Sequence, residues 1–386
     1  LSLSYKTGKQ KCSSTAARDI KLESAATREL IAKYVGEMVA AGIRQVNAVN
    51  NYELLTDVFL LAAHKRGARN TGEGERLIYY QMVLELYTYY PETTCDLITI
   101  TPQFGYWLDL YKIWELALYR NNNGIQTNYS TLIIHIIKTI YNQLQKDKTA
   151  DSQPSLLAKW FAREGSYYSK VCEFADLQAF DIFAVLMRKQ TGFIDPRMFN
   201  DSAQFAKCLT ATAKCYKIHR WRKELRTCIA SINKKLATFE TFTCAGKWAE
   251  INPANVPSRC MLKQTKALLN EKLTGTVPEE YNDTGNRYPD NADRVQARKN
   301  LIDMLCDPSK LKTKNIMPHE IVKEHMASKS NAQTLVTNLQ WGQKVAEIIA
   351  DINDMRKKLT DAGAEVPVHI GNLIPMMDVS GSMSGI

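Results

Sequence analysis

The sequence predicts a mainly α-helical protein of stacked helical hairpins, ending in a buried strand that runs into a polar loop. Three observations carry that expectation. Apolar residues recur at helical spacing through nearly every readable segment between about 25 and 361: Leu132, Ile133, Ile136, Ile137, Ile140, Tyr141 and Leu144 mark one face, and Tyr79, Met82, Val83, Leu86 and Tyr87 another. Polar breaks such as Asn121-Asn122-Asn123-Gly124 separate helices of roughly 12 to 20 residues. No convincing strand precedes Ile370. Helix pairs of about 40 residues must stack on neighbours to bury both faces, so a degenerate HEAT-type solenoid is expected, without a strict sequence period.

At 386 residues and 45% hydrophobic content the chain can bury a sizeable core. Lysine and arginine (50) exceed aspartate and glutamate (40), giving a net charge of +10 and a pI near 9.0. That balance favours an anionic partner, nucleic acid first, then an acidic protein or a membrane surface. Nine cysteines, an odd number, with no Cys-x-x-Cys pair and no secretory apolar region, point to a reduced, cytoplasmic setting rather than a disulfide framework. No apolar run approaches the roughly 20 residues needed to span a bilayer, so no membrane insertion is expected.

In chain order, residues 1–24 read as a basic arm carrying Lys6, Lys9, Lys11, Arg18 and Lys21, or as an ordinary frayed terminus. The Arg66–Arg76 loop sets three arginines and three glycines before an apolar helix, which Thr71 is placed to cap. Glu73 and Glu75 are expected in the first helical turn, where they would answer the macrodipole themselves and leave a structural junction rather than a phosphate cradle. Residues 275–294 read as a long polar surface loop, and 332–361 as one long helix ended by Gly363 and Pro367.

Lys207, Lys214, Lys217, Arg220, Arg222, Lys223, Arg226, Lys234 and Lys235 stand against a single acid, Glu224, in the densest basic stretch. On helices these cations form faces suited to tracking phosphates, with Trp221 or Tyr216 available to stack on bases; the alternative is a solvated face with structural aromatics. Cys208, Cys215 and His219 share a helical face but lack a fourth ligand, so buried thiols are expected rather than zinc. His319 is expected to cap or pack at a helix start. With no Gly-x-Ser-x-Gly, His-Glu-x-x-His or Walker pattern present, no enzyme is expected.

At the C-terminal end an apolar run, Leu373-Ile374-Pro375-Met376-Met377, leads into Asp378-Val379-Ser380-Gly381-Ser382-Met383. One carboxylate and two hydroxyls form an oxygen-only donor set that suits Mg2+, the alternative being an Asx/Ser turn. Asp378, Ser380 and Ser382 resemble the opening of the metal-ion-dependent adhesion site of von Willebrand A domains. That resemblance implies further ligands beyond Ile386, so the chain is expected to be a fragment with boundaries at 1–24 (arm), 25–365 (helical domain) and 366–386 (start of the A domain).

Several separated stretches carry a wider resemblance: Lys65 through Arg76, Phe104-Gly105-Tyr106-Trp107-Leu108-Asp109-Leu110, Leu157-Ala158-Lys159-Trp160, Ala245-Gly246-Lys247-Trp248, Val256-Pro257-Ser258-Arg259, Met317-Pro318-His319-Glu320 and Leu339-Gln340-Trp341, followed by the Asp378 segment. In this order they resemble an uncharacterised family of plants and large DNA viruses that is similar to the TROVE module of the Ro RNA-binding protein. The resemblance implies a TROVE-like ring or solenoid of HEAT-type helical repeats joined to a von Willebrand A domain. It implies an RNA-binding, ribonucleoprotein-type scaffold for structured RNA, whose A domain receives a protein partner. The alternative is a structural or interaction protein of a large assembly such as a virus particle, without nucleic acid.

Overall fold

The structure is a computed structural model that describes residues 25–49, 52–67, 72–122, 127–187, 199, 201–213, 218–271, 286–313, 316–328 and 330–363. It is mainly helical, with sixteen α-helices and one two-stranded sheet among the described residues. The chain divides into two compact units at Leu236 and Ala237, where the sequence suggested one helical domain spanning 25–365. The basic arm and the segment from 366 onward lie outside the described residues.

Unit 1 contains α1 (Ala25–Val49), α2 (Tyr52–Arg66), α3 (Arg76–Tyr89), α4 (Pro91–Phe104), α5 (Trp107–Asn122), α6 (Ser130–Thr149), α7 (Leu157–Trp160), α8 (Tyr167–Val171), a β1–β2 hairpin (Glu173–Phe174, Leu177–Gln178), α9 (Ala179–Met187), α10 (Ser202–Ala213) and α11 (Ile218–Leu236). Apolar residues all round α3 explain its central position: Tyr79, Tyr80, Met82, Val83, Leu84, Leu86 and Tyr87 are buried, and α1, α2, α4 and α5 pack on it. The seven periodic residues of α6 are all buried as its spacing predicts. The hairpin was not anticipated. Ala175 and Asp176 both hold positive φ (53° and 60°), as a two-residue turn of matching twist requires. The Trp114 indole donates to the Glu173 carbonyl at 3.1 Å, fastening the hairpin to α5.

Two of the stretches singled out in the sequence meet inside unit 1. Arg66 closes α2 and Asp109 opens α5, and their side chains are 2% exposed. Arg66 Nε donates to Asp109 Oδ2 at 2.8 Å. The same carboxylate accepts from the Tyr80 hydroxyl at 2.6 Å and from the Tyr106 amide at 2.7 Å. A carboxylate taken from water survives only when its lone pairs are met in this way. Gly105 makes room for the pair, since a Cβ there would stand 2.4 Å from Asp109 Oδ2.

The loop after α2 folds back along that helix. The Glu73, Gly74 and Glu75 amides donate to the His64, Gly67 and Lys65 carbonyls at 3.1, 3.0 and 2.7 Å, meeting acceptors that a helix end leaves open. A Cβ on Gly72 would sit 2.2 Å from the His64 carbonyl oxygen. The acids of this junction act otherwise than the sequence suggested. α3 begins at Arg76, so Glu73 lies before the helix and its carboxylate is held by Lys65 at 2.7 Å. Thr71 lies outside the described residues.

Unit 2 contains α12 (Phe239–Cys244), 3-10 turns at Trp248–Glu250 and Pro253–Asn255, α13 (Ser258–Leu268), α14 (Ala292–Leu305), a 3-10 turn at Pro308–Lys310, α15 (Pro318–Met326) and α16 (Asn331–Asp361). Leu268, Leu269, Leu301 and Val336 form the centre of its apolar cluster. Buried polar groups join them. Asn270, at φ 50° after α13, donates to Asn286 Oδ1 at 3.1 Å and accepts from the Tyr288 amide at 3.2 Å. Arg298 donates to the same Asn286 oxygen at 3.3 Å, and the Arg294 guanidinium lies 3.6 Å from the Trp248 ring centroid. Of the loop expected over 275–294, the described residues begin at Asn286, and the Asn291 side chain already caps α14. His319 is exposed and does not cap α15; Glu320 does, accepting from the Met317 amide at 3.1 Å.

Candidate nucleic-acid interface

α11 is built so that its apolar residues and its cations part company. Trp221, Leu225, Ile229, Ile232 and Leu236 recur every three or four positions and are buried. The helix packs through this seam on α9, α7 and α6. Asn233 Nδ2 donates to the Ala158 carbonyl at 3.0 Å, satisfying the end of α7. What remains outside is basic: His219, Arg220, Lys223, Arg226, Lys234 and Lys235 are exposed. Lys148 on α6 is also exposed and lies close enough to Cys228 to pull its thiol down, although burial pushes that thiol up overall. Nothing in local sequence placed Lys148 beside α11, because the fold alone unites them.

The charges are partly answered from within. Arg222 grips Asp181 of α9 with two hydrogen bonds, Nε to Oδ1 at 2.6 Å and Nη2 to Oδ2 at 2.7 Å. This grip raises the arginine's proton affinity further. Arg226 bonds Glu164, and Arg220 reaches Glu224 at 3.0 Å. Arg220 and Arg226 remain 70% and 51% exposed, against 25% for Arg222. The first two can therefore exchange partners at the surface, whereas Arg222 fastens two helices. Trp221 is 6% exposed in the core. Its ring does not offer the stacking face considered from the sequence.

Lys207 is exposed on α10, while Lys214, Lys217, Tyr216 and Cys215 lie outside the described residues. Cys208 is half-buried, and no group of three metal-binding side chains occurs among the described residues. Asp378, Ser380 and Ser382 lie outside them. No helix among the described residues is long and apolar enough to cross a membrane.

No family model matches the chain, and no solved structure matches it. The chain is similar to an uncharacterized protein of Acanthamoeba polyphaga mimivirus, 26% identical over 333 aligned residues, the match covering 82% of this chain and 46% of that protein. The chain thus spans less than half the length of this viral relative.

Proposed function

We propose that the protein is an RNA-binding scaffold of the TROVE-like, HEAT-repeat kind, and that exposed cations of α11 contact the phosphates of a structured RNA. The observation that carries this reading is the division of α11 into a buried apolar seam and a basic outer side. The net charge of +10 supports it, because phosphate contacts dominate the affinity of such proteins. Arg220, Lys223, Arg226 and Lys234 are the contact residues; Arg222 positions the helix through Asp181. Asp378, Ser380 and Ser382 belong to the same proposal as part of an A domain. Their all-oxygen set with one formal charge suits Mg2+ when further oxygens join it, leaving a position for a partner's carboxylate.

The test is fluorescence anisotropy with a labelled hairpin RNA at about 50 mM salt, where each phosphate contact contributes roughly 0.7 to 0.9 to the logarithmic salt slope. Replacing Arg220, Lys223, Arg226 and Lys234 together by alanine is expected to weaken binding about tenfold or more and to flatten that slope. Absence of RNA binding by the wild type, or unchanged binding by the variant, overturns the assignment. A second reading, an interaction protein within a large assembly such as a virus particle, draws on the long exposed apolar face of α16 in unit 2.

A further inference from the structure

α16 is two helices in one. Its first part is held in unit 2 by Ala332, Gln333, Val336, Thr337 and Gln340, all buried. From Ile348 to Gly363 every residue is exposed. Lys344 and Glu347 mark the last support, where Glu347 accepts from Thr313 Oγ1 at 2.5 Å and pairs with Lys344 at 3.2 Å. A stretch this short has marginal helicity in water without packing, since most helical stability in proteins comes from a buried face.

Along the exposed part Trp341, Val345, Ile348, Ile352, Met355 and Leu359 follow one another at spacings of four, three, four, three and four. That is the repeat of a left-handed coiled coil, with Val345, Ile352 and Leu359 at one seam position and Trp341, Ile348 and Met355 at the other. All six are at least 37% exposed. Of the residues that unit 2 buries, Ala332, Gln333, Val336 and Gln340 fall on the back of this helix, and from Trp341 onward the seam is open along about 27 Å. Helical period makes an apolar stripe ordinary; an exposed one with heptad spacing is a docking face.

The flanking charges select the occupant. In a parallel, in-register pair, the residue before each first seam position meets the residue five further along on the other copy. Asp351 then faces Arg356 of the second copy, twice by symmetry. In an antiparallel pair that overlaps all six seam residues, Asp351 would oppose Asp351. Like charges there disfavour that arrangement. Lys358 is already engaged by Asp354 at 2.7 Å on its own helix, which leaves Asp351 and Arg356 to set the orientation.

We infer that a second copy of this chain covers the exposed face of α16 through a parallel two-stranded coiled coil spanning residues 341–361. Self-association through this face does not depend on RNA.

Sedimentation equilibrium of the 386-residue chain, free of RNA, tests the inference. The wild type is expected to dimerise below about 100 µM. Ile352→Lys is expected to be monomeric at that concentration, with the thermal transition of unit 1 unchanged. Arg356→Glu is expected to weaken association at least about tenfold, and Asp351→Arg combined with Arg356→Asp to restore it. A monomeric wild type overturns the proposal. So does a dimer indifferent to Ile352→Lys. A dimer that Ile352→Lys breaks but Arg356→Glu strengthens overturns the parallel arrangement.

Discussion

Unit 1 gathers its apolar residues into one cluster running from Val35 to Leu236, whereas those of unit 2 fall into a main cluster and a small separate one of Leu262, Ile316 and Ile321. The polar interiors differ in the same sense. Unit 1 buries full charges in matched sets: Arg66 with Asp109, and Arg120 with Glu85 at 2.7 Å and with Gln81 at 2.7 Å. Unit 2 spans its loop with amides, Asn270 to Asn286, and stacks Arg294 on Trp248. Apolar burial is non-directional and carries most of the folding free energy. The first unit can therefore surround charge with packing, while the second depends on specific hydrogen bonds at its chain crossings. Unit 2 is accordingly also where an apolar helix face is left open.

The largest effect tests the buried charge of unit 1. Asp109→Ala removes the acceptor of Arg66, Tyr80 and Tyr106 at once and leaves a guanidinium in the core. A cost of about 3–5 kcal/mol is expected, read as a lowered urea midpoint. Arg66→Met with Asp109→Leu should recover much of it, because the desolvation of both ions disappears. If the double variant is no more stable than Asp109→Ala, packing rather than charge compensation sets this site.

The polar crossing of unit 2 gives a smaller change. Asn270→Gly keeps the left-handed backbone at φ 50° accessible while removing the side-chain bonds to Asn286 and Tyr288. About 1–3 kcal/mol is expected, confined to unit 2, with amide exchange speeding around Tyr288. Equal loss from Asn270→Ala and Asn270→Gly would mean that the hydrogen bonds dominate and backbone conformation adds little.

How far these differences were legible in the chain depends on their range. The seam of α6 follows from period alone, and so does the division of α11. Trp221 stands four residues before Leu225, so its burial was readable from spacing, yet its neighbours' charge suggested a surface role. The answering acids were not readable. Asp181 and Glu164 lie 41 and 62 residues from the arginines they meet, and only the packing of α11 on α9 and α7 brings them there. The hairpin escaped because two-residue strands carry no periodic signal. For α16 the heptad stripe was in the sequence, but a stripe does not say whether anything covers it.

Arg222 and Lys223 are adjacent on α11, and they sharpen the contrast between answered and solvated charge. Arg222→Ala is expected to cost about 1 kcal/mol, since a bidentate, half-buried pair with Asp181 is lost. Lys223→Ala should stay within about 0.5 kcal/mol in stability while still weakening RNA binding. Equal stability losses would remove the distinction between the positioning residue and the contact residue.

The smallest effect is a pH dependence confined to unit 1. Burial first, and the nearby Lys138 second, lower the His135 pKa from its usual 6.5, although Asp96 opposes this. The imidazole bonds Thr99 Oγ1 at 2.9 Å. The unfolded chain therefore takes up the proton more readily than the folded one, and stability rises with pH wherever that holds. The contribution is intact above 6.5 and is lost as pH falls from 6.5 through the lower folded value. His135→Gln retains a partner for Thr99 but cannot titrate, so its urea midpoint should change less than that of the wild type between about pH 7.5 and about pH 5. Parallel midpoint curves for the two proteins across that range would show that His135 does not couple folding to pH.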